Sequence, residues 1–321
     1  MTTLRPIGQT GLSISPLIFG TSGLGDMPDT YGYTVDEERA RATLHAIFDS
    51  PVNALDTSRN YGMGRSEERI GAVIRERGGL PEGFVLSTKL DRDMDTGRFD
   101  AARVRQSLEE SLEVLGLDRI PLLHLHDPEY ARDLSEITAE GGALDALFRL
   151  KEEGLAQAVG LAMGRLDLME PLLRERPFDA LINHNRYSLL NRAAAGMFAD
   201  ARHRGIAVLN AAPYAGGVLA KGASEMPRIT YQEVDDAALA PVRRIEALCA
   251  ENGVAPGAAA LQFSMSDPLV TATIIGVSKP ERVAQTLDWA ETALPEGLLQ
   301  TLRDLPHATD DPEANRVYRP A

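Results

Sequence analysis

Cysteine is almost missing from the 321-residue chain, with Cys249 as its one example. An internal disulfide is therefore excluded, and the composition fits a reducing, cytoplasmic setting. Cys249 sits between Leu248 and Ala250 in a helical pattern and reads as a small buried hydrophobe. Basic residues are also short: 33 Lys and Arg face 47 Asp and Glu, a formal net charge of −14. That balance argues against a nucleic-acid partner, which favours a basic face. The acidic residues are scattered and read as a solvated surface. No apolar run approaches the ~18 residues of a membrane span, and the opening MTTLRPIGQTG has no signal-peptide h-region. No Pro/Ser-rich linker divides residues 1–321, so one domain is expected.

Nucleotide-loop fingerprints are lacking as well. GTSGLG (20–25) and GMG (62–64) do not form G-x-G-x-x-G after a strand with an acidic residue about 20 positions on. GGVLAKG (216–222) does not have the phosphate-loop spacing.

What is present is a regular alternation. Apolar or β-branched runs at 17–20, 52–56, 84–88, 121–126, 156–162, 178–183, 205–211 and 271–276 are followed by helical patterns. These helices are expected at 35–49, 65–77, 101–115, 142–153, 166–174, 192–204, 239–252 and 280–291. Ser66 with Glu67 and Glu68 reads as a capped, acidic helix start, as does Pro280-Glu281. Gly154 and Gly205 stand where helices should stop. Strands joined by helical crossovers pair in parallel. Eight such units point to an α/β fold closed as a (β/α)8 TIM barrel. Residues 2–16 read as an added N-terminal β-hairpin turning through Gly8 and Gly11, and a helix near 295–304 and a polar tail follow the barrel.

In such a barrel, chemistry sits at the C-terminal ends of the strands. Asp56 ends the second strand, Lys89 the third and His126 the fourth, and Tyr61 lies in the loop after the second. Three successive strands thus deliver an acid, an amine and an imidazole to one rim, and a loop adds a phenol. A phenol of reference pKa ~10 is a weak acid at neutral pH. A neighbouring cation favours its ionised form. Lys89, held by Asp56, is expected to supply that cation. His126 can hydrogen-bond a carbonyl oxygen, and Tyr61 can exchange the proton. His124 shares a strand face with His126 two residues on, and is expected one layer deeper as a packing residue. The two histidines lack a third ligand for a metal. Gly62 and Gly64 read as the turn that aims Tyr61.

The stretch DTSRNYGMGRSEERIG (56–71), VLSTK (85–89) and SLEVLGLDRIPLLHLHDP (111–128) together resemble the signatures of the aldo-keto reductase family. The resemblance spans nearly the whole chain. It implies a catalytic tetrad of Asp56, Tyr61, Lys89 and His126, and a hairpin plugging the barrel bottom. It also implies a nicotinamide cofactor, NAD or NADP, lying over the barrel mouth. APYAGGVLAKG (212–222) and IIGVSKPERVAQT (274–286) match the stretches that hold its phosphates and adenosine end. The resemblance so implies contacts from Gly20, Thr21, Asp56, His184, Pro213, Tyr214, Gly217 and Leu219. Gly276, Val277, Ser278, Lys279, Arg282, Gln285 and Thr286 are implied at the phosphate and adenosine end. Departures accompany it. Gly276 stands where many members carry a base for the 2′-phosphate of NADP, which tilts the expectation slightly to NAD. Ala211 replaces the stacking aromatic, Ala162-Met163 the amide clamp and His184 a Gln.

FDALINHNRYSLLNR (178–192) and the run after Gly205 resemble the aldose 1-dehydrogenase branch, with pyridoxal dehydrogenases close by. The expected partner is thus a small sugar or carbonyl compound. A second reading is a cofactor-holding redox sensor with little turnover, which would present a large exposed apolar patch. Asp26, Met27, Tyr130, Trp289, Asn315 and Tyr318 are the candidate substrate-lining residues.

Overall fold

The computed structural model describes residues 3–314. Twelve strands are formed by these residues. A hairpin of β1 (Arg5–Pro6) and β2 (Ser13–Ile14) comes first. The barrel strands are β3 (Leu17–Gly20), β4 (Ala54–Asp56), β5 (Val85–Leu90), β6 (Ile120–His126), β7 (Ala156–Ala162), β8 (Ala180–His184), β9 (Ala207–Ala211) and β12 (Ala272–Gly276). They pair in parallel around a closed ring in the order β12-β3-β4-β5-β6-β7-β8-β9. A small hairpin of β10 (Arg228–Ile229) and β11 (Gln232–Glu233) lies between β9 and β12.

Burial on both faces explains why the strands read as apolar runs rather than alternations. Every residue of β3, β4 and β5 is buried. Inside the ring, Ile18, Ala54, Val85, Leu122, Ala158, Ala180, Ala207 and Leu209 form one cluster with Ile7 and Ile14 of the hairpin region. The alanines leave room that the two isoleucines fill, so the hairpin closes the barrel bottom.

Helices cover the outside, and side-chain caps fix two of their starts. Asp36 accepts from the Arg39 N–H at 2.8 Å and Asp100 from the Arg103 N–H at 2.9 Å. One expected cap is corrected. The helix Arg65–Glu76 is capped by Gly64, not Ser66. The Ser66 hydroxyl instead reaches Thr21 O at 3.1 Å and Thr21 Oγ1 at 3.0 Å, tying the helix to the loop after β3. Glu67 is fully buried rather than a solvated first-turn carboxylate. It accepts from Thr88 Oγ1 (2.5 Å) and Ser111 Oγ (3.0 Å), with Arg59 3.8 Å away.

A whole helix escapes the periodic reading. Pro256–Met265 is buried on nearly every side, from Gly257 to Leu261 and on through Met265. A helix enclosed on all faces has no polar stripe to betray its period. Other bounds shift by a few residues, the second strand starting at Ala54 and the sixth helix at Ala195.

Burial raises the Glu67 pKa to about 7. A carboxyl that is harder to ionise when folded binds its proton more tightly there. It therefore makes stability fall as pH rises from about 4.5 to about 7. Glu67→Gln is expected to flatten that fall, adding on the order of 3 kcal/mol at pH 8 and little at pH 4. Urea unfolding of both proteins across that range reads the difference; parallel curves would remove Glu67 from the account.

Candidate active site

The register of the ring brings the strand ends level. Asp56 pairs with Ser87, and Lys89 with His124. Asp56 and Lys89 leave neighbouring strands on the same rim, both buried. The Lys89 ammonium donates to Asp56 Oδ1 at 2.7 Å, to Thr57 O at 2.5 Å and to Tyr61 OH at 3.3 Å. Ser87 Oγ donates to the other Asp56 oxygen at 2.8 Å. Each charge of the pair is thus hydrogen-bonded as well as neutralised, the condition under which buried ions are tolerated.

The loop carrying Tyr61 is set by a close approach. Gly62, at φ +64°, lies against Gly25, and a Cβ there would come within 1.9 Å of Gly25 O. Only glycine fits both the left-handed backbone and the gap. Tyr61 then stands edge-on to His126, ring centroids 6.0 Å apart at 88°.

His126 has a partner that the sequence reading missed. Asp91, buried just past the end of β5, sits 2.6 Å from His126 Nδ1. Ser58 Oγ (2.6 Å) and the Asn60 N–H (2.9 Å) donate to the other Asp91 oxygen. A signal existed, because Asp91 follows Lys89 by two residues, on the same side of the chain. With Nδ1–H donated to Asp91, Nε2 faces the mouth, 3.6 Å from Asp127 Oδ2. Burial alone would lower the His126 pKa, but the Asp127 and Asp91 carboxylates outweigh it and raise it. His124 is different. It is fully buried, with Ser87 Oγ 3.4 Å from its Nδ1, in space that Gly160 leaves open. Burial, then the Lys89 charge, holds its pKa well below the usual value, so the ring is neutral.

The proton on Tyr61 departs from expectation. Burial, followed by the Asp56 carboxylate, holds the phenol well above its ordinary pKa. The Lys89 ammonium, 3.3 Å from the phenol, does not outweigh these two effects. The phenol is therefore protonated at neutral pH.

These groups open into a cavity of about 590 Å³. Its wall includes Asp56, Tyr61, Lys89 and His126 at one end and the loop from Gly276 to Lys279 at the other. Gly20, Thr21, His184, Tyr214, Gly217, Arg282, Gln285 and Thr286 also line it. Pro213 and Leu219 are not brought to the wall. Both are buried behind it, Leu219 within the apolar core. Of the substrate-lining candidates, Met27 and Trp289 line the cavity. Asp26 instead bonds the Val35 N–H and Arg65, and exposed Tyr130 stacks under Arg92. Asn315 and Tyr318 lie outside the described residues.

The cavity's lining suits a dinucleotide. Gly276 has open space where a side chain would stand, and the twelve-residue helix from Pro280 begins beside it. Loop amides and a helix N-terminus suit phosphate. Arg39, Lys221, Arg228, Lys279 and Arg282 line the same wall. Arg39 is the second missed residue: its guanidinium crosses from the helix Glu37–Phe48 to donate to Ser278 O at 2.7 Å. Nothing local in the sequence joins positions 39 and 278.

Comparison with known proteins agrees with this geometry. A family model described as "Aldo/keto reductase family" matches residues 16–305. The D-threo-aldose 1-dehydrogenase of a Pseudomonas species is 31% identical, over 92% of this chain and 94% of its own. The pyridoxal 4-dehydrogenase of Microbacterium luteolum is 29% identical, over 93% and 96%. Among solved structures, an aldo-keto reductase from Bacillus halodurans in its holo form superposes with a TM-score of 0.74. It covers 99% of this chain and 100% of its own at 22% identity, a likeness of fold.

Asp91→Asn tests the histidine's anchor. Without that charge and its hydrogen bond the His126 pKa should fall, because burial and the opposing Lys89 charge remain while only Asp127 still raises it. The alkaline limb of a carbonyl-reduction profile then moves to lower pH, and kcat/KM drops about ten- to a hundredfold. An unchanged limb would show that Asp91 does not act through His126.

Proposed function

This chain belongs to the aldo/keto reductase family, and from that premise we propose that it oxidises an aldose at its anomeric carbon, with NAD+ as oxidant. As a member it is a nicotinamide-dependent oxidoreductase. The observation that carries the proposal is the contact of Lys89 with both Asp56 and Tyr61 at the cavity's end. The aldose assignment draws on the D-threo-aldose relative. The pyridoxal relative makes pyridoxal the second compound to test.

In this reading His126 Nε2 donates to the reacting oxygen and orients it. Tyr61 takes the hydroxyl proton as base and returns it in the reverse direction. Lys89 favours the phenolate, and Asp56 fixes Lys89. An oxidised nicotinamide, when bound, would supply the hydride acceptor and a positive charge. The carbon–oxygen bond becomes a carbonyl and a ring hemiacetal becomes a lactone. Gly276, Val277, Ser278 and Lys279 would hold the phosphates, and Arg282, Gln285 and Thr286 the adenosine end.

NAD+ is favoured over NADP+ because Gly276 contributes no charge. The Arg39 guanidinium is already engaged by Ser278, and that of Arg282 by Gln285. A cytoplasmic setting belongs to the same proposal, supported by the lone buried thiol of Cys249. A redox-sensing module is disfavoured. The large exposed hydrophobics among the described residues are Leu4, Met63, Tyr130 and Leu134, too few for a docking face.

A cofactor-reduction screen of aldoses and pyridoxal with NAD+ and NADP+ should give turnover with an aldose and NAD+. Tyr61→Phe should then lose about 1,000-fold or more in kcat, while dinucleotide affinity by fluorescence titration stays within twofold. Full activity in that variant would overturn the assignment.

A further inference from the structure

The cavity is electrically lopsided. Lys279 and Arg282 follow β12, and Lys221 follows β9. Across the ring, four strands from β12, the loop after β6 places Asp127 on the same wall. The Asp127 carboxylate is 3.6 Å from His126 Nε2 and accepts no hydrogen bond among the described residues. Its side chain is 14% exposed, into the mouth. Its placement is built rather than loose. The Asp127 N–H donates to Ala162 O at 2.8 Å, and its carbonyl accepts from the Tyr130 N–H at 3.0 Å. Pro128 follows, and φ is +46°, a conformation that Asp tolerates better than most residues. A carboxylate held in that backbone beside the reacting centre invites a functional reading.

We propose that Asp127 is the specificity determinant of the site: it accepts a hydrogen bond from a substrate hydroxyl on the carbon next to the reacting carbon, and it repels anionic substrates. The inference rests on the aldose reading given above. A substrate oxygen bonded to His126 Nε2 and Tyr61 OH occupies the end of the mouth. The next carbon's hydroxyl then lies on the side of His126 where Asp127 stands. An ionised carboxylate is the strongest acceptor for such a hydroxyl. The near cations do not compete. Lys89 is committed to Asp56, the His126 ring to Asp91 and in this reading to the reacting oxygen, and His184 faces Glu313 at 3.1 Å. A phosphate or carboxylate on the substrate near this end meets the Asp127 charge, and among the described residues no uncommitted base lines this end. The substrate class is therefore neutral and α-hydroxylated.

The test pairs substrates that differ by one hydroxyl. D-ribose and D-galactose are compared with their 2-deoxy forms in oxidation, and lactaldehyde (2-hydroxypropanal) with propanal in reduction. Glyceraldehyde 3-phosphate, set against glyceraldehyde, supplies the anion. The wild-type enzyme is expected to favour the hydroxylated member by about ten- to a hundredfold in kcat/KM, the range of a charged hydrogen bond, and to disfavour the phosphate by at least about tenfold. Asp127→Gly suits the backbone and removes the carboxylate, and the hydroxyl preference should collapse toward one. Asp127→Asn keeps an acceptor, so it should retain part of that preference while losing the discrimination against phosphate. A general loss of catalysis would lower both members of each pair and leave the ratio alone. A ratio unchanged in Asp127→Gly overturns this inference. Absence of any turnover of aldoses or hydroxyaldehydes by the wild-type enzyme overturns the underlying reading instead.

Discussion

The structure depends on one buried ion pair. Lys89 and Asp56 lie 2.7 Å apart, both nearly sealed from solvent, on adjacent strands of the ring. Two isolated charges there would each carry a desolvation penalty of several kcal/mol. Thr57 O, Ser87 Oγ and Tyr61 OH satisfy what the pair itself leaves open. Removing one partner leaves a lone buried charge, at a cost of about 3–5 kcal/mol. The pair therefore does little as a stabiliser in itself. It fixes the rim's geometry, and with it the position of the phenol.

A second pair, His126 with Asp91, stands on the other side of Tyr61. Burial first, and then the carboxylates of Asp56, Asp127 and Asp91, keep the phenol protonated. That state suits proton donation. In the oxidation proposed above, the charge of a bound oxidised nicotinamide would favour the phenolate, so that Tyr61 would serve as base in that direction and as acid in reverse.

Much of this was legible in the sequence, and the reasons are physical. Strands buried on both faces leave continuous apolar runs, and helices half-exposed leave a period, so eight units could be counted. Asp56, Lys89 and His126 were legible because polar residues ending apolar strands stand out. Tyr61 was legible from its place in the loop after the second strand and from the family signature around it. What failed shares a different cause. Pro256–Met265 has no solvent face and so no period. Ser66 and Glu67 looked like a cap and an acidic first turn, but the contact of Gly62 with Gly25 draws that helix start inward and buries both. Arg39 reaches Ser278 through a tertiary contact that no local spacing encodes. Leu219 sits among glycines typical of a ligand loop, yet its side chain turns into the core.

The central claim is that Lys89 governs the proton on Tyr61. The most direct measurement is the pH profile of kcat/KM for aldose oxidation in wild-type protein and in Lys89→Met, with folding checked by circular dichroism. Loss of the ammonium unmasks the Asp56 carboxylate beside the phenol. The account predicts that the ascending limb moves to higher pH by about one to three units, with a lower rate at neutral pH. A limb that keeps its position and height would contradict it.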